Sequence, residues 1–138
     1  RSDGAFRWSL HFRPDVAQSR QPFDEVISRA QSECKPVMID FFADWCAACK
    51  ELDAHTYSSK EVAAEAKRFV SIKIDGTNEH PVLDALYEKF KVQGLPTVVF
   101  IDPLGQTLND PRVAGFMPAD EFLGQMKKVV LTTCSIAR

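Results

Sequence analysis

The fold is decided by one stretch of the sequence, Val37-Met38-Ile39-Asp40-Phe41-Phe42-Ala43-Asp44-Trp45-Cys46-Ala47-Ala48-Cys49. Its first six residues are almost continuously apolar, which is typical of a central strand buried on both faces. The cysteines follow a short turn and predict the start of a helix. Because two residues separate them, both sulfurs fall on one side of a helical turn, and we expect a disulfide that forms and opens reversibly.

The two cysteines are predicted to have different roles. Cys46 lies at the helix start, where unpaired N–H groups and the helix dipole favour negative charge and lower the pKa of a thiol. We therefore expect Cys46 to be the exposed nucleophile that attacks a partner's disulfide. Cys49, one turn further in, is expected to resolve the mixed disulfide by attacking the Cys46 sulfur. This exchange requires no metal and no organic cofactor.

Two other interpretations of the cysteine pair are less favoured. A zinc site usually has a second cysteine or histidine pair, whereas Cys34 and Cys134 stand alone and the three histidines are scattered. A purely structural disulfide is possible, but it does not need an exposed helix start. For Cys34 and Cys134 the default expectation is free thiols, although they could also pair with each other.

Composition indicates one domain. The 138 residues contain 45% hydrophobic residues, carry a net charge of −2, and show no basic face for nucleic acid and no apolar run that could cross a bilayer. We expect a soluble monomer. The start Arg1-Ser2-Asp3-Gly4 lacks the apolar core of a signal peptide, so the chain is expected to be cytosolic, processed, or part of a larger protein.

Strand and helix patterns alternate along the chain. They predict strands over 6–12, 37–42, 69–75, 97–102 and 112–116, and helices over 22–33, from 46 to about 57, 59–67, 81–90 and 118–130. This order predicts an α/β fold, with a mixed central β-sheet flanked by helices on both faces. We divide the chain into an N-terminal linker and first strand over 1–20, the domain proper over 21–130, and a loosely held tail over 131–138.

Several motifs together resemble a known family. The stretch from Asp40 to Lys50, followed by Gly94-Leu95-Pro96-Thr97, is similar to the thioredoxin superfamily. The dipeptide Ala47-Ala48 between the cysteines, together with 55–58 and 112–117, resembles most closely the C-terminal domains of the DsbD family of thiol:disulfide interchange proteins. The resemblance covers most of the chain, from about Phe23 to Lys128.

That resemblance implies a thioredoxin-like fold and a role in electron transfer. In the DsbD family this periplasmic domain takes electrons from a transmembrane domain and passes them to an N-terminal domain, which supplies disulfide isomerases and cytochrome c maturation. It implies transient mixed disulfides with both partner domains, and a periplasmic location as the soluble part of an inner-membrane protein. The alternatives are a stand-alone cytosolic thioredoxin-like reductant and a binding or chaperone module with incidental cysteines.

Two acidic residues are predicted to tune the cysteines. Asp40 lies in an apolar strand, where burial should raise its pKa and let it exchange a proton with Cys49; the alternative is a solvent-facing carboxylate at a strand edge. Asp53 comes four residues after Cys49 and hence lies on the same helical face, and the resemblance implies an acidic residue at this position; the alternative is an ordinary solvated charge. Negative charge near Cys46 would raise its pKa and make the reduced pair a better electron donor, with Lys50 as a partial offset.

The partner-binding surface is predicted around the cysteines. The resemblance implies a cis Leu95–Pro96 bond beside them, which would present the Leu95 backbone to a partner's cysteine loop as an added strand. Trp45 is expected to shield one side of the Cys46 sulfur and to contact the partner, the alternative being a core tryptophan. The dipeptide Ala47-Ala48 completes this surface.

Overall fold

The computed structural model describes residues 5–130 and Cys134. Its five strands are β1 (Leu10–Phe12), β2 (Val37–Phe42), β3 (Val70–Asp75), β4 (Thr97–Ile101) and β5 (Thr107–Ala114). Its six helices are α1 (Pro14–Ala17), α2 (Gln21–Ser32), α3 (Ala47–Glu51), α4 (Lys60–Ala66), α5 (Pro81–Phe90) and α6 (Ala119–Lys127). A π-helical turn, Leu52–Thr56, continues α3 directly.

The strands form a single mixed sheet in the order β1-β3-β2-β4-β5. Strands β1, β3 and β2 run parallel, and β4 is antiparallel to both β2 and β5. The central strand β2 leads directly into the turn 43–46, which we call the redox turn. This turn lies at the carboxyl end of β2, and open α/β sheets commonly place their sites at such strand ends. The predicted α/β architecture is confirmed.

Helices cover both faces of the sheet, which explains why every residue of β2 is buried. Alternate residues of β2 (Val37, Ile39 and Phe41) join the core under α2 and α5. Met38 joins the second core, which includes residues of the π-helical turn, α4 and α6. Because side chains alternate along a strand, Asp40 faces the same side as Met38.

Strands β1 and β5 and helix α1 differ most from the prediction. Strand β1 is only three residues long, because the side chains at 6 and 8 pack as an aromatic group instead of continuing the ladder. The short helix α1 was not predicted. Strand β5 begins at Thr107, well before 112, although its middle is Asn109-Asp110-Pro111. Polar residues and proline argue against a buried strand, but an edge strand tolerates them because one side is unpaired.

Cys34 and Cys134 form a disulfide, with their Cα atoms 5.8 Å apart. The expectation of free thiols is therefore wrong. Cys34 follows the end of α2 in a left-handed conformation, with φ at 56°. Apart from Cys134, the predicted loose tail over 131–138 lies outside the described residues. Within residues 5–130, no helix has the length and apolar character required to cross a lipid bilayer.

Candidate active site

Cys46 and Cys49 form the second disulfide of the described chain, at the start of α3. Their Cα atoms are 5.2 Å apart. Cys46 is the N-cap of α3 and has extended backbone geometry, and its Sγ accepts a hydrogen bond from the Cys49 amide at 3.1 Å. The same amide would donate to a Cys46 thiolate once the disulfide is reduced. The arrangement thus favours the ionised form of Cys46.

Both sulfurs lie deeper than the sequence predicts. Cys46 is only 7% exposed and Cys49 4% exposed, so the expectation of an open Cys46 is wrong. The reason is local packing: both cysteines belong to a small apolar cluster with Phe42 and Ala43. A partner disulfide must therefore approach this cluster closely to reach Cys46.

Trp45 lies on the surface beside the cysteines, and 67% of it is exposed. The alternative of a core tryptophan is wrong. Its indole Nε1 donates to the Thr77 carbonyl oxygen at 3.2 Å, and the neighbouring Asp44 amide donates to Thr77 Oγ1 at 2.8 Å. Thr77 is in turn held by Asp75 at the end of β3. The loop after β3 thus fixes the redox turn, a contact that the sequence analysis did not anticipate.

The second motif, at 94–97, lies against the cysteine cluster. Leu95 packs on that cluster, and Pro96 follows it across a cis peptide bond. The Pro96 carbonyl accepts from the Gly115 amide at 2.9 Å, which ties the loop to the end of β5. Of the dipeptide between the cysteines, Ala47 is exposed and Ala48 is half-buried. The structure therefore places Leu95 and Ala48 against the cluster that contains both cysteines.

Asp40 is 2% exposed, so the solvent-facing alternative is wrong. Burial raises its pKa to about 7, and the negative charge of Asp53 adds to this effect. The ammonium of Lys73, 3.9 Å from Asp40 Oδ2, opposes the shift. Since this pKa lies near neutrality, Asp40 can hold or release a proton under physiological conditions.

Lys73 is a residue of the candidate site that the sequence analysis missed. It is the register partner of Asp40 on β3, and its ammonium also bonds to Asp53 Oδ1 at 2.8 Å. Only 8% of its side chain is exposed. A lysine between Ile72 and Ile74 was the available signal, since a charge inside an apolar strand needs a partner. The predicted offset, Lys50, is exposed and forms no ion pair among the described residues.

Tyr57 lies next to the Asp40 carboxylate. Its hydroxyl is close enough to Asp40 to shift the pKa of both groups, and burial raises the pKa of Tyr57 well above its ordinary value. Neither Tyr57 Oη nor Asp40 Oδ1, however, has a hydrogen-bond partner of good geometry among the described residues. Asp40 is thus ion-paired on one oxygen and unsatisfied on the other.

Comparisons with known proteins agree with this geometry. Residues 23–130 match the family model of a thioredoxin-like domain. The thiol:disulfide interchange protein DsbD of Actinobacillus pleuropneumoniae serotype 5b is 36% identical over 121 residues, which cover 88% of this chain and 20% of that protein. The chain therefore spans about a fifth of the length of the curated relatives that it matches.

Solved structures give the same result. The oxidised C-terminal domain of Neisseria meningitidis DsbD has 30% sequence identity and a TM-score of 0.71, with coverage of 81% of this chain and 97% of that domain. The reduced form of the same domain has a TM-score of 0.72, also at 30% identity, and covers 86% of this chain and 100% of that domain. Both similarities extend over the whole of the compared domain.

Proposed function

The chain belongs to the thioredoxin-like family, among the C-terminal domains of DsbD proteins, and on that premise we propose that it is a thiol:disulfide interchange domain working as a reductant. The observation that carries the proposal is the disulfide between Cys46 and Cys49 at the start of α3, with a buried, titratable Asp40 on the strand that leads into it. The domain gives two electrons to a partner disulfide and becomes oxidised itself.

The first step is attack on the partner. In the reduced domain, the Cys46 thiolate attacks one sulfur of a partner's disulfide. A bond forms between Cys46 Sγ and that sulfur, the partner's S–S bond breaks, and the second partner sulfur leaves as a thiolate. The Cys49 amide, which donates to Cys46 Sγ, supports the thiolate before the attack.

The second step releases the partner. Asp40, as a carboxylate, takes the proton of the Cys49 thiol, and the Cys49 thiolate attacks Cys46 Sγ. The Cys46–Cys49 bond forms, the mixed disulfide breaks, and the first partner sulfur leaves as a thiolate. Both partner thiolates take protons from solvent, and Asp40 releases to solvent the proton that it took from Cys49. In total, two thiols of the domain become a disulfide and the partner's disulfide becomes two thiols.

The charges around the site support the reducing direction. Asp40 and Asp53 place two carboxylates against the single ammonium of Lys73. When both acids are ionised, the group has a net negative charge, which disfavours a second negative charge on Cys46. This effect opposes the support that the Cys49 amide gives to the thiolate, and a less stable thiolate makes the reduced pair a better electron donor.

Partner binding is proposed at the surface around Cys46. Exposed Trp45 supplies an aromatic anchor whose position is held by Thr77. Leu95 and Pro96 border the cysteine cluster, and Ala47 and Ala48 contribute small side chains that let a partner approach closely. We propose that the backbone of Leu95 pairs with the partner's cysteine segment as an added strand.

The partners that we propose are the transmembrane and N-terminal domains of a DsbD-like protein, reached in turn through mixed disulfides, with the domain as a monomer. We propose a periplasmic location. The half-buried Cys34–Cys134 disulfide supports an oxidising compartment, because such bonds are rare in reducing ones. We also propose the division into a linker and first strand over 1–20, a domain over 21–130 and a tail over 131–138.

A trapping experiment tests the function. The Cys49→Ser variant, reduced and mixed with the oxidised N-terminal domain of a DsbD protein, is expected to accumulate a mixed disulfide through Cys46. The Cys46→Ser variant is expected to form none, and the parent is expected to reduce the partner completely. The redox potential of the parent pair, measured against glutathione, should lie below that of the partner.

The matched control is the Cys34→Ser, Cys134→Ser double variant, which removes the other disulfide and should reduce the partner at the parent rate. If Cys46→Ser reduces the partner as well as the parent does, the proposed function is wrong. Transfer of electrons from a flavoprotein reductase, but not from a DsbD transmembrane domain, would instead support a stand-alone reductant.

A further inference from the structure

Two aromatic residues before β1 lie over the charged group described above. We call Phe6 and Trp8 the N-terminal strap. Their rings contact each other, with centroids 4.4 Å apart, and both contact Tyr57, at 4.9 Å from Phe6 and 5.1 Å from Trp8. The strap is held to the sheet by Ser9, whose amide donates to the Ser71 carbonyl at 2.7 Å. The strap is therefore a packed layer and not a free chain end.

The strap forms the outer layer over Asp40. Beneath it lies Tyr57, which is 4% exposed and whose hydroxyl faces Asp40. The Lys73 ammonium lies 5.3 Å from the Trp8 ring and 4.3 Å from the ring of Phe42. Trp8 thus covers both of the groups that touch Asp40 from the outer side.

The charged group is in contact with water at Asp53. The Asp53 side chain is 49% exposed, whereas only 8% of the Lys73 side chain and 2% of the Asp40 side chain are exposed. An open groove of about 440 Å³ runs beside the strap, and its lining includes Asp53, Tyr57, Lys73, His11 and Ser58 as well as both strap rings. Removing the Trp8 indole would deepen this groove and open a route for water towards Asp40 Oδ1, which has no hydrogen-bond partner among the described residues.

We propose that the N-terminal strap is a positioning element of the redox centre, which keeps water from Asp40 by covering Lys73 and Tyr57 and thereby controls how readily Asp40 exchanges a proton with Cys49. The part concerning Cys49 rests on the proposed function, whereas the effect on Asp40 does not. Phe6 and Trp8 act through Tyr57 and Lys73 and touch no reacting atom.

The direction of the effect follows from the groups that face Asp40. These are Lys73 from β3, Asp53 from the π-helical turn and Tyr57 after it. His11 of β1 lines the same groove. Desolvation is the largest of the influences on Asp40. Water admitted to Asp40 Oδ1 would hydrogen-bond to the carboxylate and stabilise its charged form. Opening the strap therefore favours the ionised Asp40.

The test compares Trp8→Ala with the parent, as full chains with both disulfides intact. The carboxyl carbon of Asp40 is titrated by NMR. We expect the midpoint to fall by about one pH unit in Trp8→Ala, since partial hydration reverses part of a burial shift. The Asp40 midpoint of Trp8→Phe, which keeps an aromatic ring at this position, should stay close to that of the parent. Leu104→Ala, which removes an exposed apolar side chain from the β4–β5 turn, is the matched control and should leave the midpoint unchanged.

An unchanged Asp40 midpoint in a folded Trp8→Ala protein would overturn the proposal. If Trp8→Ala does not fold, Phe6→Ala is judged by the same criterion. That variant removes the other ring of the strap. The second readout is the rate at which the mixed disulfide resolves, followed against pH. In Trp8→Ala, the pH midpoint of this resolution rate should fall together with the titration midpoint of Asp40. A rate profile with the same midpoint as in the parent would overturn the link to Cys49. The trapping experiment with Cys46→Ser judges the proposed function separately.

Discussion

Asp40 and Lys73 are register partners on the parallel strands β2 and β3, and their side chains form an ion pair of 3.9 Å in which both members are buried. The Lys73 ammonium lies nearer to the half-exposed Asp53, at 2.8 Å. Lys73 therefore divides its charge between an acid that keeps contact with water and one that does not. The pKa of Asp40 is raised because this shared charge only partly offsets its desolvation.

Asp40→Asn should make stability less dependent on pH. The folded-state pKa of Asp40 is about 7, above the ordinary value of 3.8, so the parent is most stable while Asp40 is protonated and loses stability as the pH rises towards 7. Relative to the parent, the variant should gain up to roughly 4 kcal/mol of unfolding free energy between pH 4 and pH 8. Denaturant unfolding at a series of pH values measures this, with Glu51→Gln on the exposed side of α3 as the control.

Lys73→Met should destabilise the protein most at alkaline pH. Removing the ammonium leaves an unpaired buried carboxylate, which typically lowers the free energy of unfolding by about 3–5 kcal/mol. At pH 5, where Asp40 is protonated, the loss should be smaller. Lys50→Met removes an exposed lysine near the same site and should have little effect at either pH. An equal loss at both pH values would mean that the role of Lys73 is packing alone.

Asp53→Asn should lower the pKa of Asp40. The negative charge of Asp53 raises that pKa, and its removal also leaves the Lys73 ammonium free to move towards Asp40. Titration of Asp40 by NMR measures the shift. The rate of Cys46 alkylation against pH should change in the Asp40→Asn, Asp53→Gln double variant, and an identical profile would show that the two acids do not tune the cysteine.

Cys34→Ser, Cys134→Ser should lower stability without altering the redox site. The disulfide joins residues 100 positions apart, and cross-links of this span stabilise by at most about 4.7 kcal/mol, with 2–4 kcal/mol being typical. Thermal unfolding of the oxidised proteins measures the loss. The single variant Cys34→Ser should lose the same amount, because one remaining cysteine closes no loop.

Trp45→Ala should weaken binding of protein partners selectively. The side chain is exposed and anchored by Thr77, so its removal takes away contact area and leaves the cysteines in place. We expect KM for a protein disulfide to rise about tenfold or more, as for an interface anchor, while the rate with a small aromatic disulfide stays near the parent value. Equal losses with both substrates would indicate that Trp45 acts on the cysteines themselves.

Local patterns were sufficient for much of the fold. The apolar run at 37–42 predicted β2, the spacing of apolar residues predicted α5, and the Cys-x-x-Cys spacing predicted the disulfide at the start of α3, because each pattern depends only on neighbours along the chain. The burial of Asp40 followed in the same way. Strand β5 was predicted too short because its polar centre is acceptable only at a sheet edge, and strand order is not a local property.

The amino-acid sequence alone determined that two cysteines lie at the start of a helix, and that this helix follows a buried strand with one carboxyl group. A few consecutive residues encode all of this. Only the tertiary structure decided which groups surround that carboxyl. Lys73 meets Asp40 because β3 lies beside β2, and Trp8 covers Lys73 because the segment before β1 crosses that face. Cys34 meets Cys134 although 100 positions of sequence separate them. Such contacts depend on how distant segments pack, and no local pattern records that packing.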